Sequence, residues 1–202
     1  MTSTVSEGGK TGEAGDLLRV AVVIGSTREG RFGTTIADWV VDRIKERETL
    51  AVDVIDTREV ELPHAFGAGG AGSLAVTSEK LSGADAFVVV TPEYNHSYPG
   101  SLKNLVDAHH REWQAKPVGF VSYGGISGGL RAVEHLRQVF AELHAVTVRD
   151  TVSFANPWGR FDESGRLTDP EEAVAAARIL LDQLTWWGTA LRTARAITPY
   201  GR

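Results

Sequence analysis

The amino-acid sequence predicts an α/β fold in which one parallel sheet of five strands lies between two layers of helices. Three observations predict it. Apolar runs too short for helices alternate five times with stretches whose apolar residues recur every three or four positions. The runs Val20–Ile24 and Ala86–Val90 are apolar throughout, the pattern of strands covered on both faces. No composition break or internal repeat divides the chain, and 202 residues suffice for one well-buried domain or at most two small ones.

Residues 1–16, rich in Gly, Ser, Thr and Glu, are expected to form a disordered tail rather than a signal peptide. The folded domain is expected over 17–195, with a short tail at 196–202. Val20 to Ile24 is β-branched enough for a buried strand. A loop of glycine, hydroxyl and basic residues follows, and Ile36, Val40 and Ile44 then mark one face of a helix over 34–47. Leu50–Ile55 reads as the second strand. The stretch Asp56–Gly72, with Pro63 and the run A-G-G-A-G, is expected to be a mobile loop. A short helix over Ser73–Leu81 precedes the third strand, Ala86–Val90. A further helix follows from Pro99 to His110, Pro99 suiting a first turn where its missing N–H is not needed. Pro117–Ser122 is the fourth strand. Leu130, Val133, Leu136, Phe140 and Leu143 then define an amphipathic helix. Val146–Val148 is the fifth strand, and Asn156–Asp169 a polar loop. The last helix spans Pro170–Arg195, with Leu180, Leu184, Trp187 and Leu191 on one face.

Alternating strands and helices joined by right-handed crossovers build a doubly wound sheet. Five strands favour the flavodoxin-like order 2-1-3-4-5 over a six-stranded Rossmann sheet, giving a three-layer α/β/α sandwich. In such sheets ligands bind outside the carboxyl ends of the strands. The three unusual loops follow strands one, three and four, which are neighbours in that order, so the loops converge on one crevice.

Each loop offers distinct chemistry. The first, Gly25-Ser26-Thr27-Arg28 through Gly33, combines a helix N-terminus, hydroxyls and two arginines, which together describe an anion cradle. It is neither a Walker A loop nor G-x-G-x-x-G. The bland alternative is an ordinary strand-to-helix turn whose arginines face water. The second loop brings Pro92, Tyr94, Asn95 and His96. The third brings Tyr123 and glycines whose N–H groups can reach ring oxygens and nitrogens. A phosphate pocket beside a flat slot suits a mononucleotide with a planar ring, and FMN is the natural candidate. ATP would ask for magnesium ligands, and none is evident in the loop.

The stretches G-S-T-R-E-G-R-F-G (25–33), T-P-E-Y-N-H-S-Y-P-G-S-L-K-N (91–104) and S-Y-G-G-I-S-G-G-L-R-A (122–132) resemble the NADPH-dependent FMN reductase family, within the flavodoxin-like superfamily. The resemblance covers roughly 18–195, and the second stretch is the most specific. It implies that Ser26, Arg28, Arg31, Phe32 and Gly33 surround the FMN phosphate. It places Pro92, Glu93, Tyr94 and Asn95 along the isoalloxazine ring or ribityl chain, and Ser122, Tyr123, Gly124 and Gly125 against the ring. Many members carry serine and asparagine where this chain has Arg31 and Gly33.

The resemblance also implies an enzyme in which NADPH or NADH reduces FMN and an acceptor collects the electrons. The acceptor classes are a free flavin, a quinone, an azo dye, a nitroaromatic or chromate. It further implies a homodimer or homotetramer. The cofactor carries the chemistry, so no catalytic side chain is assigned. His96 is the one side chain suspected of touching substrate, a surface histidine bonded to backbone being the alternative. Other readings are a non-enzymatic electron carrier or redox-sensing module, and a reductase supplying reduced FMN to a flavin-dependent monooxygenase. A net charge of −5 gives no reason to expect nucleic acid, and no apolar run is long enough to span a bilayer. Without cysteine there is no disulfide or thiol nucleophile, and a cytoplasmic location is the default expectation. His109, His110 and Glu112 are consecutive enough to diverge on a helix, so a solvated or interface role is expected in place of a metal site. Trp39 and the Trp186–Trp187 pair are expected in core or interface packing.

Overall fold

The computed structural model describes residues 17–62 and 71–201. The expected N-terminal tail and residues 63–70 of the expected mobile loop lie outside the described residues; the ends of that loop belong to the second strand, which runs to Asp56, and to the helix that begins at Ala71. Strands Leu18–Ile24 (β1), Leu50–Asp56 (β2), Ala86–Pro92 (β3), Pro117–Gly124 (β4) and Val146–Ala155 (β5) form one parallel sheet in the order β2-β1-β3-β4-β5. Helices Gly33–Lys45 (α1) and Glu171–Ile197 (α5) cover one face. Helices Ala71–Gly83 (α2), Gly100–Asp107 (α3) and Leu130–Glu142 (α4) cover the other.

The period of two along each central strand sorts its residues between the two layers. In β1, Val20, Val22 and Ile24 join Ile36 and Trp39 of α1 and Leu180 and Leu184 of α5, while Ala21 and Val23 point to the opposite core. In β3, Val88 and Val90 face the first core, and Phe87 and Val89 the second. Phe87, Trp113 and Phe140 pack edge to face in that second core, with ring centres 4.7 and 5.4 Å apart. Such pairs add stability beyond the area that they bury.

The largest correction concerns β5, which runs on to Ala155 instead of ending at Val148. The pairing of β4 with β5 shifts between Val118 and Phe120, whose partners are Thr147 and Thr151. Arg149 and Asp150 occupy that irregularity, where an edge strand can expose charge, while Val148, Val152 and Phe154 stay buried. The charged pair interrupts the apolar pattern in sequence but not the strand. Further along the chain, α3 ends at Asp107 rather than His110. His109 is buried, not solvated, with its Nδ1 2.9 Å from the Leu105 carbonyl oxygen. Trp39 is in the core, 5.3 Å from the Phe154 ring centre, whereas Trp186 and Trp187 pack edge-on against each other outside it. The last helix continues to Ile197, and Tyr200 beyond it bonds its hydroxyl to His144 Nδ1 at 2.8 Å.

At the amino end of the sheet, far from its ligand-binding end, the buried Lys116 donates to the Leu81 and Ser82 carbonyls at 2.8 and 2.9 Å. Burial foremost, then repulsion from Arg195, pulls its pKa down to about 8 against the attraction of Asp85 and Glu112. Above that pH the unfolded chain binds a proton that the folded chain lacks, so this group makes stability rise with pH until the unfolded lysine also titrates. The expected contribution is a rise of about 2 kcal/mol between pH 8 and 10. Urea denaturation across that range, read as wild type minus Lys116→Met, checks it. A flat difference would mean that the ammonium is as well solvated in the fold as outside it.

Candidate functional site

Loops one, two and three meet over the carboxyl ends of β1, β3 and β4, where the chain reverses its direction of sheet building. They enclose a cleft of about 450 Å³, within the range of small-molecule sites. Arg28, Arg31 and Phe32 line it from the first loop, Pro92, Glu93 and Tyr94 from the second, and Tyr123, Gly124 and Gly125 from the third. Of the other residues that the sequence points to, Ser26, Gly33 and Ser122 lie behind the wall. Asn95 projects from the second loop.

The first loop is built to leave donors free. Its helix begins at Gly33 with no side-chain cap and no acidic residue in the first turn. The first-turn N–H groups therefore have no acceptor within the helix and carry its positive end. Arg28 is exposed at the cleft and forms no ion pair among the described residues. Arg31 behaves differently. Its guanidinium pairs with the Asp56 carboxylate at the end of β2, one contact being 2.7 Å, and also donates to the Ser26 carbonyl. These side chains are only 8% and 12% exposed, so Arg31 acts as a strut beneath the loop.

Ser26 is also a junction. Its Oγ lies 2.7 Å from the Tyr94 hydroxyl and accepts a longer bond from the Arg28 N–H. Tyr123 reaches the same place from β4. Burial, reinforced by Tyr94, pushes its hydroxyl well above the ordinary tyrosine range, against the opposing Ser26 hydrogen bond and Arg31. It stays a neutral donor. A Cβ at Gly33 would stand 2.7 Å from that hydroxyl. Arg31 is thus matched by Asp56, and Gly33 makes room for Tyr123.

In the second loop, Tyr94 and Ser97 exchange backbone hydrogen bonds at 2.8 and 3.0 Å around Asn95 and His96, both with positive φ. The tight turn turns Asn95 and His96 outward, and neither lines the cleft. Glu93 looks the other way. Its carboxylate, on a side chain 7% exposed, accepts from Ser127 Oγ at 2.7 Å, from the Arg131 N–H at 3.2 Å and from the Arg131 guanidinium at 2.9 Å. It thereby caps α4 from a distance and ties loop three to loop two. Ser122 Oγ donates to the Gly128 carbonyl at 2.8 Å, closing loop three from beneath.

Sequence reasoning missed Glu29, Gly30 and Trp158, which also line the cleft. Trp158 was hidden by the shortened fifth strand. Once β5 reaches Ala155, the turn at Pro157–Gly159 becomes a fourth loop at the carboxyl end of the sheet.

Known proteins resemble this chain in sequence and in fold. An NADPH:quinone oxidoreductase of Arabidopsis thaliana is 33% identical over 175 residues, covering 82% of this chain and 89% of that protein. An NAD(P)H-dependent FMN reductase of Schizosaccharomyces pombe is 37% identical over 120 residues, covering 55% of this chain and 60% of that protein. The solved structure of FerB, a flavoenzyme NAD(P)H:(acceptor) oxidoreductase of Paracoccus denitrificans, shares the fold with a TM-score of 0.72 at 22% identity. It covers 86% of this chain and 98% of that one. The family model for NADPH-dependent FMN reductase matches residues 18–159, from the first strand to the turn that carries Trp158. By that match over most of its length, the chain belongs to the NADPH-dependent FMN reductase family.

Proposed function

We propose that the protein is an FMN-dependent NAD(P)H oxidoreductase whose acceptor is a quinone or a free flavin, working as a homodimer or homotetramer in the cytoplasm. Membership of the family supports the enzyme class, the cofactor and the donor. The observation that carries the site is the cleft where an uncapped helix end and an exposed arginine, unpaired among the described residues, stand beside two loops of aromatic and glycine residues.

The residues present fit FMN. Its phosphate needs donors at one end of the cleft, which the first turn of α1 and Arg28 supply. Its ring needs flat, open space at the other, and a Cβ added at Gly125 would meet no protein atom within 4 Å. Bound there, the flavin supplies hydride acceptance from a nicotinamide and return of the electron pair to an acceptor. The chain contributes by holding, orienting and polarising. Tyr94 and Tyr123 brace the floor through Ser26. Backbone N–H groups of loop three, at Gly124 and Gly125, would stabilise negative charge on the ring edge, as an oxyanion hole does. Arg31, paired with Asp56, keeps the phosphate loop in shape. No side chain in the cleft has to move a proton for hydride transfer itself.

The test is anaerobic mixing of the FMN-loaded protein with NADPH and, separately, NADH. Rapid bleaching of the oxidised-flavin absorbance, restored by a quinone, is the expected result, and the faster nucleotide names the donor. A yellow colour that survives both nucleotides would promote the electron-carrier reading instead.

A further inference from the structure

We infer that Trp158 is the outer wall of the acceptor subsite, stacking planar aromatic acceptors of the quinone class on the open side of the cleft. The inference rests on the FMN-dependent reading above and deepens it by naming a residue that selects the acceptor.

The indole is 61% exposed and lines the cleft. Other tryptophans have partners: Trp39 and Trp113 lie in ring clusters of the core, and Trp186 and Trp187 pack on each other. Among the described residues, no aromatic ring packs on Trp158 and no cation lies over it. A large apolar surface left at the mouth of a binding cleft marks a place where something else is buried.

Its backbone is held firmly. Asn156 sits in the left-handed region at φ 48° and ψ 59°, which non-glycine residues rarely adopt. The Asn156 N–H donates to the Gly124 carbonyl at 2.8 Å, the next residue, Pro157, is buried, and the Arg160 N–H closes the turn onto the Pro157 carbonyl at 2.9 Å. Arg160 in turn lies over the Phe154 ring, 5.6 Å from its centre. The turn is thus tied directly to the floor of the slot made by loop three.

Trp158 reaches the cleft from the turn after β5, whereas the rest of the lining comes from loops one, two and three, and its exposed indole forms a rim. A ring resting between that rim and the floor is covered on its outer side by an aromatic face, an arrangement that favours flat molecules and does nothing for compact ions. A quinone leaving as hydroquinone takes up two electrons and two protons, supplied by NADPH and one solvent proton. Two ferricyanide ions take up one electron each from the same pair. The two acceptors therefore drain equal electrons and differ in shape.

The experiment compares wild type, Trp158→Ala and Trp158→Phe with menadione and with ferricyanide. In an enzyme that alternates between donor and acceptor, kcat/KM for the acceptor reports the oxidative half-reaction alone. The expected result is a fall of about tenfold for menadione in Trp158→Ala, recovered to within about threefold by Trp158→Phe. Ferricyanide kcat/KM, measured at saturating FMN and NADPH, stays at the wild-type value. An unchanged menadione value would overturn the inference. So would an equal loss with ferricyanide, or a loss confined to FMN binding or to NADPH. Failure of the underlying reading looks different, because then the wild-type protein itself is not reduced by either nucleotide.

Discussion

Replacing Asp56 with asparagine is expected to cost about 3 kcal/mol of stability, far more than any surface charge in this protein. Arg31 and Asp56 join loop one to the end of β2 through a paired contact that is almost fully withdrawn from solvent. Removing the negative partner leaves a guanidinium buried without compensation, and that is what makes the single substitution severe. An exposed pair such as Arg19 and Asp53, at 2.8 Å, would lose well under about 1 kcal/mol. Because Arg31 also holds the Ser26 carbonyl, the loop should lose its shape and FMN affinity should fall at least tenfold. The double variant Arg31→Met/Asp56→Asn should regain part of the stability, since no unpaired charge remains buried. Urea denaturation and flavin-fluorescence titration of the three variants check this. A single-variant loss below about 0.5 kcal/mol would mean that water reaches the pair and that the strut is dispensable.

The second large effect is expected at Gly129, the residue before α4. Its φ is +87°, and a Cβ there would stand 2.7 Å from Ser122 Cβ and 2.8 Å from the Tyr123 backbone nitrogen. Backbone of β4 cannot give way as a flexible side chain would. Gly129→Ala should therefore destabilise the fold by about 3 kcal/mol, the sum of left-handed strain and overpacking. Gly125→Ala is its counterpart. A Cβ there meets no protein atom within 4 Å, so stability should change by less than about 0.5 kcal/mol. FMN affinity should nevertheless fall, because the added methyl occupies the slot. Thermal unfolding of the apoproteins together with FMN titration separates the two outcomes. Equal thermal stability of the two variants would remove the case for a tight approach between loop three and β4.

Much of the architecture is local in origin and so was legible in the chain. Val20–Ile24 and Ala86–Val90 are continuous apolar runs because central parallel strands are covered on both faces. Ile36, Val40 and Ile44 announce α1 for a similar reason. The strand order, and with it the convergence of three loops, follows from those patterns and the handedness of crossovers. Edge strands escape this logic. In β5, Arg149 and Asp150 break the apolar pattern because an edge tolerates charge and irregular pairing, and with the strand cut short the Trp158 turn dropped out of the crevice.

Residue identity by itself determined the sheet, the three loops and the family, because periodicity, glycine placement and motif spacing are properties of neighbours in the chain. Partnership was decided only by the tertiary structure. Arg31 and Arg28 look alike in the first loop, yet one is buried on Asp56 and the other is open to the cleft. Glu93 sits in the most specific motif, yet its carboxylate is turned to Ser127 and Arg131. The reason is physical: a charge withdrawn from water must find its counter-charge or hydrogen-bond donors across the fold, 25 or 38 residues away along the chain. Only packing brings those distances down to contact.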